Sequence, residues 1–371
     1  MRSTRRRTGL PETSKPAVLS VGYLASPEAP DLAAEKIDRL EAEIADLRKQ
    51  IGSMHVSKSW RLTAPLRVLS RKLRRRYVAL VKLPLLGPIL LRREIVRRYR
   101  RNLGVEPKLN PPVTFNEHIT HRILYDRDPR LKIVSDKIAV QEFIRDRVGE
   151  RYTIPTLGIW ESPQQIPWDR LPERFVLKPN HASGRVRIVP PLPERDIDSL
   201  MAEAREWLAL DFFDASLEWG YRGIPRRLLA QPLLLSPSGG VVVEADVYVF
   251  HGRAGLIQIL TGEKGTSSRR ACWFDAAGNR MTIRMKCPNV DMDIEDDLRA
   301  ELIEVAEAVA RDFSSMRVDF YLTGDGLKIG ELTPYTAGGR SHWNPSEIDE
   351  VLGTLWNRPL DLSVLSPWRC R

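Results

Sequence analysis

Asp319 and Glu331 are carboxylates set on two neighbouring short strands, residues 316–322 and 327–333, joined through Thr323, Gly324, Asp325 and Gly326. A three-residue loop with Gly326 in the left-handed region pairs Thr323 with Leu327. That register predicts Asp319 directly opposite Glu331, with Cβ atoms roughly 5 Å apart. Val318, Phe320, Leu322 and Leu332 then fill the opposite, apolar face. Facing carboxylates are destabilising unless a cation lies between them, and a site of oxygen ligands without His or Cys suits a hard ion, Mg²⁺ above all. The competing reading is two solvated acids on an edge hairpin. A two-residue turn would put the acids on opposite faces.

Two lysines have the right surroundings to hold phosphate. Lys178 ends an apolar strand over 174–178 and is followed by a loop of small polar residues that includes His181, Ser183 and Gly184. A lysine at a strand edge beside such a loop can meet a phosphate as a point charge, with loop N–H groups covering it. Lys137 follows Ser135 and Asp136 near the start of an apolar-periodic stretch. An ordinary surface lysine is the alternative for both.

The elements that must position these groups follow from periodicity. A helix is predicted over 131–148, strands over 174–178 and 186–189, and a helix over 201–213. A hairpin over 241–250 and 254–260 turns at His251, Gly252 and Arg253. A helix over 297–313 runs into the strand that carries Asp319. Strands and helices mix without strict alternation, which makes the class α+β. The sequence shows no internal repeat.

The N-terminal third is different in kind. Residues 1–30 are rich in Pro, Ser, Thr and Arg and read as a disordered tail. Ile37, Leu40, Ile44, Leu47 and Ile51 form heptads with Ile at a and Leu at d, so 31–53 reads as a parallel coiled coil that makes a homodimer. A single amphipathic helix packed on its own domain is the other reading. Residues 54–110 form a basic, apolar-centred linker or a set of interfacial helices. The chain carries a formal net charge of +10, and the stretch from Lys58 to Arg101 alone carries +14, leaving −4 for all the rest. The charge thus belongs to one segment and not to the folded body. Within it, residues 77–91 are apolar but too short, and too broken by Pro84 and Pro88, to span a bilayer. Basic clusters on both sides suit an anionic membrane surface better than nucleic acid; packing as ordinary core is the alternative. The 3 cysteines lack paired or metal-type spacing, and no apolar stretch follows the basic N-terminus. Both features point to the cytoplasm, with peripheral contact on the inner face of the membrane. Residues 57–67 resemble a linker that follows coiled coils in bacterial glycosyltransferases of surface-polysaccharide synthesis.

Several short motifs fall in an informative order: Thr114 to His118, Tyr125-Asp126, Asp136-Lys137, Phe175 to His181, Phe250 to Arg253, Arg317 to Tyr321, Gly330 to Thr333 and Trp343 to Pro345. In this order they resemble the TupA-like (teichuronopeptide-synthesis) branch of the ATP-grasp superfamily. The resemblance runs from about residue 111 and implies an ATP-grasp catalytic domain over 111–371, in which two α+β subdomains clasp ATP. It implies Lys137 and Lys178 as nucleotide lysines, and His181, Ser183 and Gly184 as the loop over the phosphates. Gln231 falls at the hinge beside adenine and ribose. Asp319 and Glu331 would bind Mg²⁺ with Thr333 as a third polar partner, and Arg317 would steady the γ-phosphate. Four positions depart from the pattern: Gln231 stands where Glu is usual, Asp246 where Lys is usual, and Ala182 and Arg185 where glycines are common. Arg185 or Arg187 could restore the charge lost at Asp246. The implied activity is ATP- and Mg²⁺-dependent joining of a carboxylate to an amine through an acyl phosphate, in cell-surface polysaccharide or peptide-polymer synthesis. The acceptor would be a glycan, an amino acid or a sugar acid. A glycan kinase and a non-catalytic membrane-tethered scaffold are the alternatives.

Overall fold

The structure, a computed structural model, describes residues 76–357 and 361–370. The tail, the coiled coil over 31–53 and the linker motif over 57–67 lie outside the described residues. Within them, residues 91–357 and 361–370 belong to one compact unit, which therefore takes in part of the basic segment. Residues 76–90 belong to another unit. There Leu85 and Ile89 are 88% and 67% exposed. Among the described residues no helix is long and apolar enough to cross a membrane.

Helix α1 (Gly87–Leu103) leads into the body, and α2 (Phe115–Tyr125) begins at a capping box. Thr114 is the N-cap, and the buried Glu117 carboxylate accepts from the backbone N–H groups of Lys108 (2.7 Å), Val113 (2.9 Å) and Thr114 (3.0 Å). One side chain thus closes both the helix end and the loop before it. Glu117→Ala leaves these donors unmet and is expected to lower stability by about 2–4 kcal/mol. A denaturant midpoint equal to wild type would refute that. Phe115 enters an aromatic cluster with Tyr248, Phe250, Trp343 and Trp356, at ring-centroid distances of 5.6–6.1 Å.

The single helix expected over 131–148 is in fact two, α3 (Arg130–Ser135) and α4 (Ala139–Val148). The break lies at residues 136–138 because its polar groups find partners outside the helix. The Asp136 carboxylate accepts from the Ile138 N–H and from Asn180 Nδ2, each at 2.9 Å. The Lys137 N–H donates to the Asn180 carbonyl at 3.0 Å. A continuous helix would return the Lys137 N–H to its own turn and leave the buried Asn180 carbonyl without this donor.

Two antiparallel sheets follow. The first is four-stranded, in the order β1-β4-β2-β3, from β1 (Gly158–Trp160), β2 (Phe175–Pro179), β3 (Arg187–Val189) and β4 (Leu228–Pro232). Helix α5 (Ile197–Ala209) covers it through Leu200, Ala204 and Trp207. A short helix, α6 (Phe212–Ser216), follows. The second sheet is five-stranded, in the order β7-β6-β5-β8-β9, from β5 (Val243–Phe250), β6 (Arg253–Thr261), β7 (Arg270–Asp275), β8 (Ser315–Thr323) and β9 (Gly326–Thr333). Helix α7 (Asp296–Ala310) packs on this sheet. Helix α8 (Ile348–Asn357) packs on α2, with Asn116 bonded to both oxygens of Asp349 at 2.9 Å. His251 and Gly252 form the two-residue turn between β5 and β6, both at positive φ (48° and 74°), as the twist of a tight hairpin requires.

The β8–β9 hairpin reaches the expected register by an unexpected route. Thr323 pairs with Gly326 and Leu322 with Leu327, so the strands close one residue tighter than the sequence suggested. Carried along the hairpin, that pairing would put the two acids on opposite faces. A bulge at Gly330 restores the alignment: Phe320 faces Ile329, whereas Asp319 faces Glu331 and Arg317 faces Thr333. A Cβ on Gly330 would lie 2.4 Å from Tyr321 Cε2, so the bulge sits under the Tyr321 ring and only glycine fits.

Candidate nucleotide and metal site

Strand registers place Gln258 (β6), Asp246 (β5), Asp319 (β8) and Glu331 (β9) in one row across the five-stranded sheet, with Tyr248, Arg317 and Thr333 in the next. Val318, Phe320 and Leu322, on the alternate face, are all buried. The row thus brings together Asp319, Glu331, Thr333 and Arg317, the four residues expected at the metal and γ-phosphate. It adds Gln258, whose only sequence signal was an amide inside an otherwise apolar strand.

Each acid is met by a cation from the chain itself. Arg317 grips Asp319 through two bonds of 2.6 Å, and Thr333 Oγ1 donates to the same carboxylate at 3.1 Å. Arg317 Nε is also 3.5 Å from Asp246. Lys137 Nζ lies 3.0 Å from Glu331 and donates to the Ala182 carbonyl at 2.9 Å. The electrostatics follow from that pattern. Burial pushes Asp246 up to about 7 against the pull of Arg317, with Asp319 adding repulsion. Burial raises Asp319 as well, although Arg317 holds its charge. Burial also works against the charge on Glu331, yet Lys137 and Lys178 keep it down at about 2. Asp246 therefore does not simply reverse a charge on the phosphate side; it shares Arg317 with Asp319. Glu244, two residues earlier, is held by Arg269 at 2.9 Å.

The four-stranded sheet supplies the other lysine. Lys178, near the end of β2, is pulled down to about 8 by burial, with Lys137 nearby adding repulsion. Its folded value lies below the unfolded 10.5, so the unfolded chain binds more protons between those limits and stability rises with pH across that window. Amine-directed labelling of Lys178 is expected to follow a midpoint near 8, and ATP with Mg²⁺ should slow it. A midpoint at the ordinary lysine value would refute this.

The other expected nucleotide residues fall as follows. Gln231 is buried on β4 opposite Val176, with Nε2 3.4 Å from the Ile154 carbonyl. Gly184 takes a left-handed φ of 69°, and Ser183 lines a cavity described below. The His181 ring is placed otherwise. Its Nδ1 meets Asn180 Oδ1 at 3.2 Å, and Nε2 meets the carbonyls of Trp207 and Leu210 at 3.2 and 3.1 Å. The ring is buried against the end of α5, so it anchors the loop and does not reach toward phosphate. Arg187 is likewise spent, on Glu203 at 2.7 Å, and so does not replace the cation missing at Asp246. Asn180, read in the sequence only as part of a motif, proves central. Its side chain joins Asp136, the Pro225 carbonyl and the Arg227 N–H, and so ties the loop to the helix break.

A cavity of about 420 Å³ opens beside this row. Its lining includes Ser183, Arg317, Glu331 and Thr333 together with Glu218, Tyr221 and Arg340, the last three foreshadowed by no motif.

Two antiparallel sheets that bring two lysines, an arginine and a row of acids together define an ATP-grasp protein. The chain belongs to the TupA-like ATP-grasp family, which matches residues 117–357. ATP and Mg²⁺ are the cofactors of this class. The donor set fits the metal: only oxygen ligands are offered. Among the described residues no group of three or more His, Cys, Asp or Glu could hold an ion alone. Mg²⁺ is commonly held by one or two carboxylates together with substrate phosphates, so two acids suffice. Similar solved structures include the ATP-grasp ligase PsnB with its minimal precursor (14% identity, 58% of this chain and 60% of that one, TM-score 0.33). They also include D-alanine–D-alanine ligase from Bacillus anthracis (14%, 63% and 66%, 0.37) and the ADP complex of PurK, N5-carboxyaminoimidazole ribonucleotide synthetase (13%, 56% and 46%, 0.37). The chain thus spans about 60% of the PsnB chain. No curated protein matches the chain.

Proposed function

We propose that the chain is an ATP- and Mg²⁺-dependent ligase that joins a carboxylate to an amine. The observation that carries this reading is the facing pair Glu331 and Asp319, flanked by Lys137 on one side and Arg317 on the other, beside an open cavity. Lys137, Lys178 and the backbone of the 180–184 loop bind the nucleotide phosphates, and Gln231 lies at the adenine end. Asp319 and Glu331, with Thr333, would hold Mg²⁺, and the bound ion would supply neutralisation of phosphate charge. Arg317 steadies the γ-phosphate, and an oxygen of the acceptor carboxylate attacks the γ-phosphorus, giving an acyl phosphate and releasing ADP. The amine then attacks the acyl carbon, phosphate leaves, and an amide remains. Such catalysis is positioning and charge neutralisation in a site shielded from water.

The acceptor class is a glycan, amino acid or sugar acid of cell-surface polymer synthesis. Support for this comes from the glycosyltransferase-type linker over 57–67. Homodimerisation through 31–53 and contact of exposed Leu85, Leu86 and Ile89 with an anionic inner membrane face complete the proposal. The test is a reaction of the full chain with ATP, Mg²⁺, candidate carboxylates and amines. ADP release that needs both acceptors, with a product mass of acid plus amine less water, is the expected result. A product heavier by phosphate identifies a glycan kinase instead. No stabilisation by ATP with Mg²⁺ would leave the scaffold reading, which Asp246 and Gln231 favour.

A further inference from the structure

The loop between β6 and β7 is anchored on the face of the sheet that carries the acid row. Arg269, just before β7, donates from Nη1 to the Gly262 carbonyl at 2.9 Å and pairs through Nη2 with Glu244 at 2.9 Å. Glu244 stands two residues before Asp246 on β5, so both side chains leave the same face. The pair is largely buried, with the arginine side chain 11% and the glutamate 17% exposed, and it fixes the base of the loop to that face. The loop is also closed on itself. Gly262 takes a left-handed φ of 74°, and a Cβ there would lie 2.3 Å from the Ser268 carbonyl oxygen. The Glu263 N–H donates to Ser268 Oγ at 3.1 Å, and Thr266 Oγ1 donates to the Glu263 carbonyl at 2.9 Å.

Lys264 is the cation that this loop presents. It is exposed and makes no hydrogen bond or ion pair among the described residues. Its charge nonetheless reaches the row. Burial dominates the carboxyls of Asp246 and Glu331, and Lys264 adds a pull toward the ionised form at each, after Arg317 at Asp246 and after Lys137 and Lys178 at Glu331. Asp246 and Glu331 lie on β5 and β9 with β8 between them, about 10 Å apart at the usual strand spacing. Screening limits the reach of an exposed charge to about 8 Å, so one felt at both ends of that span stands above the row and not outside one edge. The other cations here are committed, Arg317 to Asp319 and Asp246, and Lys137 to Glu331. A nucleoside triphosphate brings further negative charge to this face. An uncommitted ammonium on a pinned loop can meet it as a point charge, with little further loop ordering to offset the gain.

We propose that Lys264 is a further phosphate-binding residue, which meets the terminal phosphate of the nucleotide from the β6–β7 loop. It acts there beside the metal end formed by Asp319 and Glu331, and its role rests on that reading of the acid row.

The test is calorimetric binding of the full chain, with Mg²⁺, to ADP and to the non-hydrolysable β,γ-imido analogue of ATP, which differ by the terminal phosphate. Lys264→Met is expected to weaken the triphosphate analogue about tenfold, the value of one charge-assisted contact, and to change ADP by less than about twofold. Lys264→Arg is expected to retain most of the affinity. Lys264 is exposed, so both variants should melt with the wild type. A merely structural role for the loop would weaken both nucleotides alike. Unchanged affinity for the triphosphate analogue in Lys264→Met, an equal loss for both nucleotides, or no recovery in Lys264→Arg each overturns the proposal. Glu331→Gln, measured in the same way, keeps the metal reading separate, since it is expected to remove the gain in affinity that Mg²⁺ gives. If that gain survives Glu331→Gln while Lys264→Met still costs about tenfold, the metal reading fails and the Lys264 contact stands. A wild-type chain that binds neither nucleotide overturns both.

Discussion

Asp319→Asn is expected to reduce Mg²⁺-dependent ADP release by about a thousandfold while the chain stays folded. The substitution preserves shape, so the amide still accepts a bond from Arg317 in place of the two 2.6 Å contacts of the carboxylate. Arg317 keeps Asp246 at 3.5 Å, and the buried guanidinium is not stranded. What disappears is one of the two negative oxygen groups that face each other across β8 and β9. Mg²⁺ demands such hard charged ligands, and an amide is a poor substitute. Thermal melting distinguishes this from unfolding: a wild-type melting curve with lost turnover is the expected pair of results. Wild-type turnover in Asp319→Asn, and in Glu331→Gln beside it, would remove the metal from the site.

A second substitution, at a residue with no functional atoms, is expected to do comparable damage. Gly330→Val places carbon where the Tyr321 ring already lies, 2.4 Å from Cε2. The overpacking alone is expected to cost about 1–3 kcal/mol. Its larger effect is on register. If the strand escapes the clash by losing the bulge, the pairing of Leu322 with Leu327 continues along the hairpin and Glu331 turns to the apolar face. Misplacement on that scale is expected to reduce turnover by about a hundredfold or more. In a double-mutant cycle, Gly330→Ala is expected to cost less stability in a Tyr321→Ala background than in the wild-type chain, because the ring that causes the clash is gone. Equal costs in the two backgrounds would show that the ring does not dictate the glycine.

That hairpin also shows how far the sequence could be read. Alternation makes the apolar face of β8 legible, whereas the expected facing of Asp319 and Glu331 rests on a three-residue loop that the structure replaces with a two-residue turn and a bulge. The path to that register was not legible, because the bulge depends on Tyr321 lying over Gly330, a packing relation that strand periodicity does not encode. The helix expected over 131–148 failed for a similar reason. Its apolar spacing continues through 136–138, and what breaks it is a bond to Asn180, remote in sequence. The resemblance implies His181 as part of the loop over the phosphates, and the side-chain direction, which no motif encodes, takes its ring to the carbonyls at the end of α5. Arg340 and Glu218 carry no motif at all. They become a pair of interest only when the fold lines one cavity with both.

The break between α3 and α4 has a dynamic consequence. Lys137 is tied to the loop after β2 twice, through its N–H to Asn180 and its ammonium to Ala182, while Asp136 holds the Asn180 side chain. The loop after β2 and the lysine that reaches Glu331 are therefore one mechanical unit. Opening the loop alone would strand three buried polar contacts, so loop and helix break open together or not at all. The two segments are coupled through these bonds, so a ligand that pulled on either one would load both.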